Sequence, residues 1–149
     1  MAKFNYRMQN ILNVKYKLET QAKTAYSIAA GKLAEEEHKL RVIRQRQAGY
    51  EDRARELVSD RLNIIDIKYC REAIQSMKDA AQNQIVQVHV AQRNVESARQ
   101  YLSEVMIERK THEKLREKAF DEFKRELEAE ESKAVDELVS YTYQTPGKK

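Results

Sequence analysis

The sequence predicts an all-α protein, a long antiparallel two-helix coiled-coil hairpin, and three observations lead there. From Ile67 to Val105 apolar or small residues recur at alternating three- and four-residue steps. They are Ile67, Cys70, Ile74, Met77, Ala81, Gln84, Val88, Ala91, Val95, Ala98, Leu102 and Val105, and only Gln84 is clearly polar. A repeat sustained beyond three or four heptads marks a coiled-coil seam, because it places one narrow stripe along a helix. Composition is the second observation: 35% of residues are charged and 41% hydrophobic, with no Trp, as expected of long, solvent-exposed helices. The third is a shortage of chain-reversing residues. Pro146 is the single proline, and Gly31 and Gly49 are the only glycines before the C-terminal end. Folds with many short elements need more turn formers than this.

The first helix is expected over about residues 3–57. Its seam reads Phe4, Met8, Ile11, Lys15, Leu18, Ala22, Ala25 and Ala29. After Gly31 the pattern slips by about one position and runs on through Leu33, Leu40, Ile43, Gln47, Tyr50, Ala54 and Leu57, as a stutter would produce. Gly31 and Gly49 each mark either a bend or a close approach of the partner helix, with the second favoured because no polar cluster surrounds them. The reversal is expected at about residues 58–65. There VSDRLNIID groups Ser59, Asp60, Asn63 and Asp66 in a chain otherwise short of turn and capping residues, and Asp66 is the expected N-cap.

The second helix is expected over about residues 66–141, and a disordered tail over 144–149. Antiparallel pairing about this turn brings Phe4 to Phe120 and Phe123, and Leu18 to Met106. Beyond Leu115 the stripe continues through Ala119, Phe123, Leu127, Ala134 and Leu138 among many acidic residues. The first helix offers no partner there, so this stretch reads either as a docking overhang or as a frayed solvent helix.

Net charge is +4, with Lys and Arg interspersed among Asp and Glu. Basic residues gather at Lys39, Arg41, Arg44 and Arg46, and again at Arg109, Lys110, Lys114, Arg116 and Lys118, but neighbouring glutamates dilute both groups. A nucleic-acid reader would carry a sustained basic face with stacking aromatics, so nucleic-acid binding is not the expected function. Cys70 stands alone, which excludes an intramolecular disulfide and a cysteine-based zinc site. His38, His89 and His112 are too far apart to form one metal face. With three glycines there is no phosphate-binding Gly-rich loop. Consecutive carboxylates such as Glu35, Glu36 and Glu37 spread around a helix rather than converge in a cleft, so no catalytic residues, cofactor or small-molecule substrate are expected. No apolar run approaches the roughly 20 residues of a membrane span, and the N-terminus leads straight into helical periodicity, so the expected compartment is the cytoplasm.

Two stretches resemble a known family. The opening KFNYRMQNILNVKYKLETQAK has an aromatic–x–aromatic–Arg–aliphatic entry in Phe4, Tyr6, Arg7 and Met8, then Ile11, Leu12, Glu19, Ala22 and Lys23. The later SARQYLSEVMIERKTHEKLREKAFDEF carries Ala98, Arg99, then Glu108, Arg109 and Lys110, then Glu113, Lys114 and Leu115. Both resemble the FliJ family of flagellar type III export proteins (FliJ/YscO-like). The resemblance implies an antiparallel coiled coil similar to the two-helix stalk of the rotary ATP synthase gamma subunit. It implies a non-enzymatic part of the type III export apparatus that binds the hexameric export ATPase FliI and promotes its ring assembly. It further implies contact with the export gate FlhA, a link to export chaperones, and peripheral association with the membrane apparatus through these partners. A two-helix shaft is roughly 20 Å across, from helix diameters of about 10–12 Å, which suits passage through a ring.

By the same resemblance the gate-contacting strip falls on Ala73, Met77, Ala80 and Gln84, spaced i, i+4, i+7, i+11 along one helix. Ile43 and Tyr50 match a neighbouring patch on the first helix. The family often has an aromatic and a histidine at the ends of the strip, where this chain has Ala73 and Gln84. Met77, Gln84 and Tyr50 also fit the seam, so packing is their competing role. Other readings are a stalk subunit of another rotary or secretion ATPase, and a homodimeric structural coiled coil.

Overall fold

The computed structural model describes residues 3–59 and 63–144. Two helices account for nearly all of them, α1 over Gln9–Ser59 and α2 over Ile64–Gln144, and no strand occurs among the described residues. The helices pack against each other as a two-helix hairpin. The middle of the expected turn, residues 60–62, and the expected tail from residue 145 onward lie outside the described residues. Two compact units are distinguishable. A terminal unit combines Met1–Glu19 with Glu104–Lys149, and a turn-side unit comprises Thr20–Ser103.

In the turn-side unit the ends beside the reversal are set by side chains. Ser59 Oγ donates to the Glu56 carbonyl at 3.0 Å, satisfying a group that the end of α1 leaves without an intrahelical donor. Asn63, rather than the expected Asp66, caps α2. Its Oδ1 accepts from the amides of Ile65 and Asp66 at 3.2 and 3.4 Å, while its carbonyl accepts from Ile67 at 3.0 Å. Asp66 lies three residues inside the cap and accepts from Asn63 Nδ2 at 3.0 Å. An acid there complements the positive end of the helix dipole, so α2 starts earlier than the sequence pattern suggests.

The terminal unit holds the other departure. The chain at residues 3–6 is not helical, and α1 begins only after the Gln9 amide donates to the Tyr6 carbonyl at 3.1 Å. This segment is held by aromatic packing instead. Phe4 meets Phe120 edge-on at 5.1 Å between centroids and Phe123 at 5.5 Å, as the antiparallel register predicts. The Arg116 guanidinium lies 5.5 Å from the Phe4 centroid, and its Nε donates to Gln9 Oε1 at 2.9 Å. Lys15 pairs with Glu108 at 2.8 Å and Glu19 with Arg109 at 2.7 Å, joining the two helices within three residues of Leu18 and Met106.

Along α2 every expected seam residue from Ile67 to Val105 is buried or half-buried. The seam of α1 differs from expectation before Gly31. Met8 and Ile11 are each 41% exposed and Ala25 is exposed, whereas Leu12 is 1% exposed and Glu19 6%. Protected positions run Leu12, Lys15, Glu19, Ala22, Tyr26, Ala29, Leu33, Glu36, Leu40, Ile43, Gln47, Tyr50, Ala54 and Leu57. These steps of three and four never slip. The apparent stutter arises because two seam positions hold carboxylates, Glu19 and Glu36, and an apolar reading steps around them. Neither glycine marks a close approach: both are exposed, and a Cβ on either would meet nothing within 4 Å.

Candidate partner-binding surface

The four residues matched to a gate-contacting strip all lie on α2 in the turn-side unit, and all are half-buried. Helical spacing explains their setting. Met77 and Gln84 are seam positions, while Ala73 and Ala80 each precede a seam residue and border it on one flank. Small side chains at the border leave the strip shallow, and no aromatic projects from it.

Gln84 is turned toward α1. Its Nε2 donates to the Glu36 carbonyl at 2.9 Å and also to the Glu36 carboxylate. The same carboxylate receives Lys32 Nζ at 3.0 Å and Lys39 Nζ at 3.4 Å. Glu36 is 6% exposed, and a buried carboxylate is tolerable only when its oxygens are paired in this way. The Gln84 amide first, and the two ammonium groups with it, hold the Glu36 carboxyl down to about 2 against burial, which pushes the other way. The Lys32 ammonium is raised in turn by Glu36.

Ile43 and Tyr50, the residues of the neighbouring patch, are also half-buried and fall on the α1 seam. The Glu36–Gln84 contact sets their level within this unit. Seven residues along α1 from Glu36 is Ile43, and seven back along α2 from Gln84 is Met77. One further heptad brings Tyr50 level with Cys70, which is 1% exposed. The two sets of residues thus occupy the same stretch of the hairpin, largely as packing, with their outer edges available to solvent. A shallow groove beside Tyr50 is lined by Arg46, Gly49 and Arg53.

Other exposed apolar groups in this unit were not singled out from the sequence. Val58 is 59% exposed, Ile64 and Ile65 are each 79%, and Tyr69 is 60%. The paired isoleucines were readable as the first turn of α2 had Asn63 been taken as the cap. Beside them a groove of about 500 Å³ is lined by Ile64, Ile67, Lys68, Arg71, Glu72 and Gln75. Such a surface suits protein contact more than chemistry, since apolar side chains with a charged rim are what interfaces use.

In the terminal unit the ionic groups form a network across the helix pair. Arg109 forks onto Glu19, with Nε to Oε2 at 2.7 Å and Nη2 to Oε1 at 3.1 Å, and its Nη1 donates to Glu113 at 3.0 Å. Tyr16 Oη donates to the other oxygen of Glu113 at 2.5 Å. That hydrogen bond lowers the Glu113 carboxyl and raises the Tyr16 phenol, while Glu19 raises Arg109. His38 and His89 are exposed and His112 is half-buried. Among the described residues no His, Cys, Asp and Glu cluster suited to a metal ion occurs, and no helix is long and apolar enough to cross a membrane.

Comparison with curated proteins and with solved structures returned no match. The family model described as flagellar FliJ protein matches residues 4–148, which takes in both stretches that carry the resemblance. The chain therefore belongs to the FliJ family and is a component of the flagellar export apparatus.

Proposed function

We propose that this protein acts in flagellar export as a coiled-coil stalk that binds the hexameric ATPase FliI, promotes its ring assembly and links it to the gate FlhA. Export chaperones are further partners, and the protein catalyses nothing itself. It works in the cytoplasm, at the membrane only through the export apparatus. The family match over nearly the whole chain carries this reading. The fold supports it, because a hairpin whose own helices cover the seam leaves its charged flanks for partners. Polar, charged flanks favour contacts that can be broken and remade, in contrast to a permanent apolar interface.

For the gate, the contact is assigned to the outer edges of Ala73, Met77, Ala80 and Gln84, with Ile43 and Tyr50 beside them. The test of the ATPase link is stimulation: adding the chain to purified FliI should increase ring formation and ATP turnover. Absence of any effect over a wide concentration range counts against the proposal. For the gate, A80E adds bulk and charge at a flank position and should weaken FlhA binding by about tenfold or more. Unchanged binding by A80E, with helicity intact, removes this strip from the interface.

A further inference from the structure

Residues 128–143 continue α2 as a regular helix in which every residue is exposed. Val135 is 56% exposed, Leu138 66% and Val139 46%. With Leu127 and Ala134 they form one face at helical spacing, and this face continues the stripe of Ala119 and Phe123, which are half-buried. The residues of Phe4 to Met8 are used on the earlier part of that stripe, where they share a groove with Ala119 and Phe123. The seam thus runs on past its cover. The rest of this helix is strongly acidic, with Glu128, Glu130, Glu131, Asp136 and Glu137 against Lys133.

We propose that residues 128–143 are one strand of a second coiled coil, which takes a single helix from a partner protein whose apolar stripe is bordered by lysine or arginine. Continuity with the seam calls for a helix, since the same spacing selects the same kind of partner. Charge selects the border residues and disfavours the competitors. A second copy would bring the same carboxylates into opposition, and an anionic lipid surface or nucleic acid would be repelled. At about 1.5 Å per residue the stretch is about 24 Å long, and its apolar face lies mainly from Ala134 onward, because Glu130 and Glu131 fill the turn after Leu127. A helix of that length is marginal alone and gains most from pairing. This surface is separate from the strip assigned above to the gate.

The experiment uses the full chain and two synthetic three-heptad peptides. One has leucine at the seam positions and lysine beside them, and its twin has glutamate in place of lysine. In fluorescence anisotropy the lysine peptide should bind at least about tenfold more tightly than its twin. The V135S/L138S variant should lose about tenfold or more of that binding, with helicity and thermal midpoint unchanged because both side chains are exposed. Equal binding of the two peptides overturns the charge selection, and undiminished binding to V135S/L138S places the contact elsewhere and overturns the site. A wild-type dimer that V135S/L138S dissociates assigns the face to a second copy. Binding to neutral phosphatidylcholine vesicles that the variant abolishes assigns it to lipid. Either result overturns the proposal. None of these outcomes depends on FliI or FlhA.

Discussion

At Glu36 an amide and two ammonium groups converge on one carboxylate placed where a coiled coil normally holds an apolar side chain. Its carboxyl is held at about 2 in the folded chain against an ordinary value of 4.5. The unfolded chain therefore takes up the proton first on acidification. The stabilising contribution is complete above about pH 4.5 and declines as pH falls toward 2, and the lowered carboxyls of Glu108 and Glu113 add to the same trend. Thermal melts followed by circular dichroism across this window should show the midpoint falling, with a smaller fall in E36Q. An equal slope in E36Q would show that the Glu36 contacts do not form in solution. The glycines give an opposite prediction. Because a Cβ at Gly31 or Gly49 meets nothing, G31A and G49A should each stabilise by about 0.5–1 kcal/mol in urea unfolding. A loss of stability would mean that the helix needs a glycine there for a reason beyond packing.

At the level of the helices, the uninterrupted phase of α1 separates two adjacent residues. Leu12 is 1% exposed and Ile11 41%, although the apolar pattern alone selects Ile11. Truncating a buried leucine removes both transfer free energy and packing, so L12A should cost about 2–4 kcal/mol. I11A should cost less than about 1 kcal/mol. Chemical denaturation of the two variants measures the difference, and a larger loss in I11A would restore the slipped seam. The start of α2 offers a similar comparison. Removing the Asn63 side chain leaves the amides of Ile65 and Asp66 without their acceptor, and N63A should cost about 1 kcal/mol. Destabilisation well below this value would make the first turn dispensable.

For the molecule as a whole, the decisive feature is that both sides of the seam come from one chain. Each expected seam residue of α2 from Ile67 to Val105 is covered, and a homodimer would have to replace those contacts with equivalent ones. Light scattering should therefore return the 17.5 kDa mass of a single chain. A mass twice that, persisting at low protein concentration, would favour the homodimeric coiled coil. Exposed apolar groups occur along both helices, Ile28, Val86 and Ile107 among them, and the most exposed lie near the reversal, at Ile64 and Ile65, and at the end of α2, at Tyr143. These two places are among the apolar surfaces that a component of an export machine can offer.

The sequence alone was sufficient for the fold class, the α2 seam and the pairing of Phe4 with Phe120 and Phe123. Heptad spacing and the rarity of turn formers leave few other ways to bury so narrow a stripe. It also carried the family, through motifs near the start and in the second half of the chain. The phase of α1 before Gly31 was decided only by tertiary structure, because Glu19 and Glu36 are polar in the one-dimensional pattern. They become admissible in a seam once Arg109, and Gln84 with Lys32 and Lys39, reach them from distant positions or adjacent turns. The same holds for Gln84 in the candidate strip: spacing placed it on a face, and only the folded pair aimed its amide at Glu36. Burial is a property of contacts between residues far apart in the chain, so a carboxylate's place in the core is legible only when its partner is in view.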